Sequence, residues 1–112
     1  MINKFTLITG AAGFLGHYHC SSLLEMNKSI IILDINKKKL VKLKKILTKK
    51  FKGKKIYDFK IDITKETQII KLKNILKKKN FFVDSIINNA AIDAIPKKNM
   101  DEWSFVNTKQ WH

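Results

Sequence analysis

The sequence contains no arginine, and all 23 of its basic residues are lysines. Arginine makes the bidentate contacts to phosphate groups and guanine, so its absence argues against a dedicated nucleic-acid-binding protein. The formal net charge is still +14, which predicts weak, salt-sensitive attraction to polyanions. We therefore interpret the lysines as a solvated surface and expect no specific nucleic acid partner.

Cysteine and long apolar runs are also scarce. The single cysteine, Cys20, excludes an internal disulfide and is compatible with a reducing compartment. No apolar run approaches the ~20 residues that a transmembrane helix needs, and the N-terminus lacks a signal-peptide pattern. We expect a cytoplasmic chain with no membrane partner. His17 and His19 lie two positions apart on a predicted helix and face different ways, so no metal site is expected.

Four apolar runs alternate with lysine-rich amphipathic stretches. The predicted strands are residues 5–9, 29–34, 55–61 and 82–87, and the predicted helices are residues 13–26, 37–50 and 64–79. The third strand alternates in polarity and is expected at a sheet edge. Thr64 is the predicted N-cap of the third helix. This order predicts an α/β fold of Rossmann type, a doubly wound parallel sheet of which only the β-α-β-α-β-α-β portion is present.

Three glycines follow the first strand, in the stretch Thr9-Gly10-Ala11-Ala12-Gly13-Phe14-Leu15-Gly16. Gly10 is expected to make a tight turn, Gly13 to let a phosphate approach, and Gly16 to let the helix pack against the strand. The unpaired N–H groups at the start of the helix would then bind the anion. The pattern predicts a pyrophosphate-binding site and hence a single partial dinucleotide-binding domain over residues 1–112. Residues 92–112 are expected to form a loop and the start of a further helix.

An acidic residue, Asp34, ends the second strand 18 residues after Gly16. This is close to the ~20-residue offset at which an acid binds the adenosine ribose. A carboxylate there repels a 2′-phosphate, so NAD is favoured as the cofactor. Lys37 and Lys38 could reach such a phosphate, which leaves NADP open. The alternative is that Asp34 serves only as a turn or cap residue.

Taken together, three motifs resemble the short-chain dehydrogenase/reductase family: the glycine stretch, Asp62-Ile63-Thr64 and Asn88-Asn89-Ala90-Ala91. The resemblance implies an NAD(P)-dependent oxidoreductase acting on an alcohol or carbonyl group. The cofactor-binding residues are then Gly10, Ala12, Gly13, Phe14, Leu15, Gly16, Asp34, Ile35, Asp62, Ile63, Asn88, Ala90 and Ala91. By the same resemblance, Asp62 and Ile63 contact the adenine. Asn88, Ala90 and Ala91 would line the nicotinamide ribose, and Asn89 would brace neighbouring strands.

The resemblance continues faintly into the tail, where Asn107 would take a supporting catalytic role; an ordinary surface position is the alternative. The glycine spacing resembles the epimerase-like branch of the family, whereas the other two motifs resemble simple dehydrogenases. This mixture is similar to oxidoreductases of surface-sugar or flagellar-sugar pathways.

Family catalysis uses a serine, a tyrosine and a lysine four positions after the tyrosine. Here Tyr18 and Tyr57 are followed at that distance by Ser22 and Ile61. We therefore expect the chain alone to be inactive, and either to form an oligomer or to lack a C-terminal half. The alternative function is a non-catalytic nucleotide-binding or regulatory module.

Overall fold

The computed structural model describes residues 3–89, in which strands and helices alternate throughout. The elements are β1 Asn3–Thr9, α1 Phe14–Glu25, β2 Ile30–Asp34, α2 Lys37–Lys50, β3 Ile56–Lys60, α3 Glu66–Lys78 and β4 Phe81–Asn88. The predicted order is confirmed, and α2 begins and ends where its periodicity predicts. The expectations for Ala90, Ala91 and Asn107 lie outside the described residues.

The four strands form one parallel sheet in the order β3-β2-β1-β4. The strand β1 pairs with β2 on one side and with β4 on the other. The chain therefore reverses its direction of travel across the sheet between β3 and β4, which is the arrangement of a Rossmann-type fold. Within this four-stranded sheet β3 lies at an edge, as its alternating polarity predicts.

A hydrophobic core cluster lies on each face of the sheet. One core cluster joins α3 to Leu7, Ile31 and Leu33, and the other joins α1 and α2 to Ile8 and Ile32. Alternate residues of β2 thus enter different clusters, which is why its sequence is continuously apolar. Cys20 of α1 belongs to the second cluster and is fully buried.

Helical periodicity explains how α2 and α3 dock on the sheet. The buried residues are Leu40, Leu43 and Leu47 in α2 and Ile69, Leu72 and Leu76 in α3. Their spacing of three and four places each set on one stripe. At the start of α2 the side chain of Asn36 accepts the Lys39 N–H at 3.0 Å, which caps the helix.

The prediction that Thr64 caps α3 is wrong. The N-cap is Lys65, and no side chain caps this helix. Thr64 instead donates its backbone N–H and its hydroxyl to Oδ1 of Asp62. The carboxylate two residues earlier offers a charged acceptor for both donors, so the threonine turns towards the end of β3.

Residues 3–89 contain neither a membrane-spanning helix nor a cluster of metal ligands. None of the three helices there has the length and hydrophobicity of a membrane-spanning segment. The same residues contain no group of three or more histidine, cysteine, aspartate or glutamate side chains that could hold a metal ion.

Candidate functional site

The loop after β1 adopts a backbone path that requires glycine. Gly10 has a φ of 61°, in the left-handed region that side chains disfavour. The turn is closed by a hydrogen bond from the Gly13 N–H to the Gly10 carbonyl at 3.1 Å. It is tied to β2 by a hydrogen bond from the Ala11 N–H to the Leu33 carbonyl at 3.0 Å. The structure therefore agrees with the turn-forming role expected of Gly10.

The two other glycines of the loop act differently. A Cβ on Gly16 would lie 2.3 Å from the carbonyl oxygen of Ala11, so no side chain fits between α1 and the turn. A Cβ on Gly13 would lie 3.2 Å from the Gly10 oxygen and would point from an exposed position. Gly16 is thus required for close packing against the turn, whereas Gly13 contributes no side chain at an exposed position of the turn.

The N-terminus of α1 is open to an anion. Its N-cap is Gly13, no side chain caps the helix, and its first turn contains no acidic residue. The unpaired N–H groups and the positive end of the helix dipole therefore lie beside the exposed Gly13. This combination fits a phosphate or pyrophosphate group.

Asp34 contacts the glycine loop directly. Its Oδ2 accepts the Ala12 N–H at 2.9 Å, and its Oδ1 accepts the Asn36 N–H at 2.9 Å. Asp34 therefore acts as a turn residue, which is the alternative role that its sequence position allows. Each carboxylate oxygen has a second lone pair, so hydroxyl donors from a ligand can still be accepted. Ile35, the next residue, is 60% exposed, as is Leu15 at the start of α1.

The loop after β3 carries a second fixed carboxylate. Oδ1 of Asp62 accepts the Thr64 N–H at 3.0 Å and the Thr64 hydroxyl at 2.6 Å. The Asp62 N–H donates to Oε1 of Gln68 at 2.8 Å. The hydroxyl bond from Thr64 is the main cause that lowers the pKa of Asp62 below its usual value, so the side chain is ionised at neutral pH. Ile63 packs half-buried against the core beneath the loop.

Asn88 is joined to the end of β1. The Thr9 hydroxyl donates to Oδ1 of Asn88 at 2.5 Å, and the Asn89 N–H donates to the Thr9 carbonyl at 3.1 Å. The bracing role expected of Asn89 is thus performed by its main chain and by the side chain of Asn88. The Asn89 side-chain nitrogen is buried and makes no hydrogen bond within residues 3–89.

All these groups lie at one edge of the sheet. The carboxyl ends of β3, β2, β1 and β4, which are neighbours in that order, carry Asp62, Asp34, the Gly10 turn and Asn88 respectively. At ~4.8 Å between strands, the row spans about 14 Å. Open α/β sheets bind ligands at this edge, where the strand order reverses. The arrangement suits an extended ligand with an anionic centre and hydroxyl or amino groups to one side.

Two residues that support the candidate site are not predicted from the sequence. Thr9 carries no signal for its hydroxyl bond to Asn88, because threonine is common in apolar strands. Gln68 is the third residue of α3, a position from which glutamine often reaches back to a backbone N–H before the helix. That signal could have identified Gln68, although here it reaches past the N-cap to Asp62.

Comparison with known proteins gives one family. The family model described as short chain dehydrogenase matches residues 4–112. A search of curated protein sequences finds no match.

Several solved structures share the fold. The NAD+-bound xylitol dehydrogenase is 24% identical with a TM-score of 0.71, and the match covers 97% of this chain and 44% of that one. Menthone neomenthol reductase from Mentha piperita is 20% identical with a TM-score of 0.72, covering 80% of this chain and 32% of that one. L-sorbose reductase from Gluconobacter frateurii, complexed with NADPH and L-sorbose, is 16% identical with a TM-score of 0.70 over 91% of this chain and 41% of that one. The chain therefore spans less than half the length of these three proteins.

Proposed function

This chain belongs to the short-chain dehydrogenase family, and we propose that it forms the NAD-binding portion of an oxidoreductase acting on an alcohol or carbonyl substrate. The observation that carries the proposal is the glycine turn beside an uncapped helix N-terminus, with Asp34 bonded to the same turn. A turn, a helix dipole and a carboxylate acceptor are together the requirements for a pyrophosphate joined to a ribose.

The residues assigned to the cofactor would lie along the edge of the sheet formed by the carboxyl ends of its strands. Gly10, Ala12, Gly13, Phe14, Leu15 and Gly16 would hold the pyrophosphate, and Asp34 and Ile35 the adenosine ribose. Asp62 and Ile63 would hold the adenine. Asn88, Ala90 and Ala91 would hold the nicotinamide ribose.

NAD is preferred to NADP in this proposal. The Asp34 carboxylate accepts hydroxyl groups but repels a 2′-phosphate. The exposed Lys37 and Lys38 at the start of α2 oppose that preference without removing it. Both cofactors occur among the structural neighbours, since one is described as NAD+-bound and another as complexed with NADPH.

The nicotinamide ring, when bound, supplies or accepts the hydride. The residues of this chain bind and orient the cofactor, and Asn107 would support the active site. We propose that the 112 residues alone catalyse no turnover, because neither tyrosine is followed four positions later by lysine. A general acid would then come from elsewhere in the whole enzyme. The combination of an epimerase-like glycine spacing with simple-dehydrogenase motifs favours a sugar-related substrate.

Isothermal titration calorimetry with NAD tests the binding. We expect a micromolar dissociation constant for the folded chain. The variant Gly13→Val should lose binding, because its side chain would stand where the phosphate approaches. Ser22→Ala changes an exposed position on the same helix and should leave binding intact. A folded chain that does not bind NAD would refute the proposal.

A second candidate is a non-catalytic nucleotide-binding or regulatory module, which would use the same glycine turn and Asp34 carboxylate. A module that recognises only the adenosine diphosphate half should bind ADP as tightly as NAD. The oxidoreductase portion should instead bind NAD more tightly, because it also holds the nicotinamide ribose. A Ser…Tyr-x-x-x-Lys arrangement encoded after His112 would independently favour the enzyme.

A further inference from the structure

We propose that Gln68 is a positioning residue for adenine recognition, which it serves by holding Asp62 in place. The inference rests on the proposed NAD site and goes beyond it by assigning a task to a residue outside the three family motifs. Gln68 would not touch the cofactor. It would fix the backbone of Asp62 so that the free carboxylate oxygen faces the exocyclic amino group of adenine.

The contact that supports this task is a hydrogen bond between a helix and the loop before it. Oε1 of Gln68 accepts the N–H of Asp62 at 2.8 Å in a partly buried setting. The Asp62 carbonyl accepts the Lys65 N–H at 3.0 Å. Both backbone groups of Asp62 are therefore bonded, and this restricts rotation of the residue.

Gln68 lies on α3, which is packed against the sheet. The next residue, Ile69, is 1% exposed and belongs to the core cluster beneath the sheet. At the other end of the loop, the Ile61 N–H donates to the Asp34 carbonyl at 3.0 Å, which ties the end of β3 to β2. Asp62 is thus held between a packed helix and a packed strand, a condition for precise placement of a binding group.

The carboxylate of Asp62 is itself oriented. Oδ1 accepts both donors of Thr64, whereas Oδ2 accepts no hydrogen bond from residues 3–89. An ionised carboxylate can only accept, so Oδ2 matches the amino group of adenine. It does not match the 6-oxo group of hypoxanthine, which offers no donor at that position.

The test compares NAD with nicotinamide hypoxanthine dinucleotide, which differs from NAD in carrying a 6-oxo group instead of the 6-amino group. The readout is the dissociation constant of the hypoxanthine analogue divided by that of NAD, both measured by calorimetry. The wild-type chain should prefer NAD by about tenfold, as expected for one hydrogen bond to a charged acceptor. A role for Gln68 in folding alone would change both affinities together and leave the ratio unchanged.

The variants are Gln68→Met, which keeps the volume but removes the acceptor, and Gln68→Asn, whose amide is too short to reach Asp62. Both should lower the ratio to about two or three, mainly by weakening NAD. Gln68→Glu retains an acceptor and should keep the wild-type ratio, since its added charge repels both ligands equally. Thr67→Ala is the matched control, because Thr67 is an exposed neighbour on α3.

The possible failures are distinguishable. A wild-type chain that is folded but does not bind NAD refutes the proposed function. Binding of NAD without preference over the hypoxanthine analogue refutes the adenine contact. A wild-type preference that persists unchanged in Gln68→Met or Gln68→Asn refutes the role of Gln68 alone.

Discussion

The carboxylate of Asp34 holds the glycine turn in place, because its Oδ2 accepts the N–H of Ala12 at 2.9 Å. The two residues are 22 positions apart in sequence and lie at the ends of neighbouring strands. The group proposed to bind the ribose is therefore also a structural part of the pyrophosphate loop. Changes at Asp34 should affect both the choice of cofactor and the integrity of the turn.

Replacing Asp34 by asparagine should reduce the preference for NAD over NADP. The amide keeps one acceptor but loses the negative charge that repels a 2′-phosphate, so we expect the ratio of the NADP and NAD dissociation constants to fall at least tenfold, about 1.4 kcal/mol. Calorimetry with both cofactors measures it. Glu25→Gln, an exposed charge-matched change at the far end of α1, is the control. An unchanged ratio would show that Asp34 does not meet the ribose.

Alanine at Gly16 should mainly lower stability, whereas alanine at Gly13 should mainly weaken NAD binding. Gly16→Ala places a Cβ 2.3 Å from a backbone oxygen, so we expect a loss of about 2–3 kcal/mol in the free energy of unfolding. Gly13→Ala meets its nearest atom at 3.2 Å and should cost less than about 1 kcal/mol while weakening NAD binding. Urea denaturation and calorimetry separate the two quantities. Equal destabilisation by both variants would contradict the different roles inferred for these glycines.

The stability of the chain should depend on Asp62 at acid pH. Its pKa is lowered in the folded state, chiefly by the Thr64 hydroxyl. The contribution is therefore complete above the unfolded pKa of about 3.9 and is lost as the pH falls through the folded pKa. Thr64→Val should flatten this part of the stability profile, measured by urea unfolding at a series of pH values from neutral downwards. Thr67→Val, at an exposed position of α3, should leave the profile unchanged.

Cys20 should be unreactive in the folded chain. Burial is the main cause that raises the pKa of its thiol to about 12, and a protonated thiol is a poor nucleophile. A thiol reagent at mildly alkaline pH should label the chain slowly without denaturant and with one equivalent in urea. Because the folded pKa is raised, the thiol also favours the folded state below the unfolded pKa of about 8.5, and this contribution is lost as the pH rises above it. Rapid labelling of the native chain would place Cys20 outside the core.

Local patterns were sufficient for the fold and for the position of the main site residues. Leu40, Leu43 and Leu47 recur at helical spacing, so α2 could be predicted with both its ends. Asp34 could be placed at the end of a buried strand, because the apolar run of β2 stops there. The N-terminus of α3 could not be predicted, because the Thr64 hydroxyl can either accept a helix N–H as an N-cap or donate to a carboxylate, and it donates to Asp62.

The sequence by itself determined which residues end the strands and where glycine is obligatory, since both depend on neighbours along the chain. Only the tertiary structure decided which of these residues meet. The bond from Thr9 to Asn88 joins positions 79 apart and exists because β1 lies beside β4. The bond between Ala12 and Asp34 exists because β1 also lies beside β2. Strand order and register fix such contacts, and both depend on packing α3 against one face of the sheet and α1 and α2 against the other.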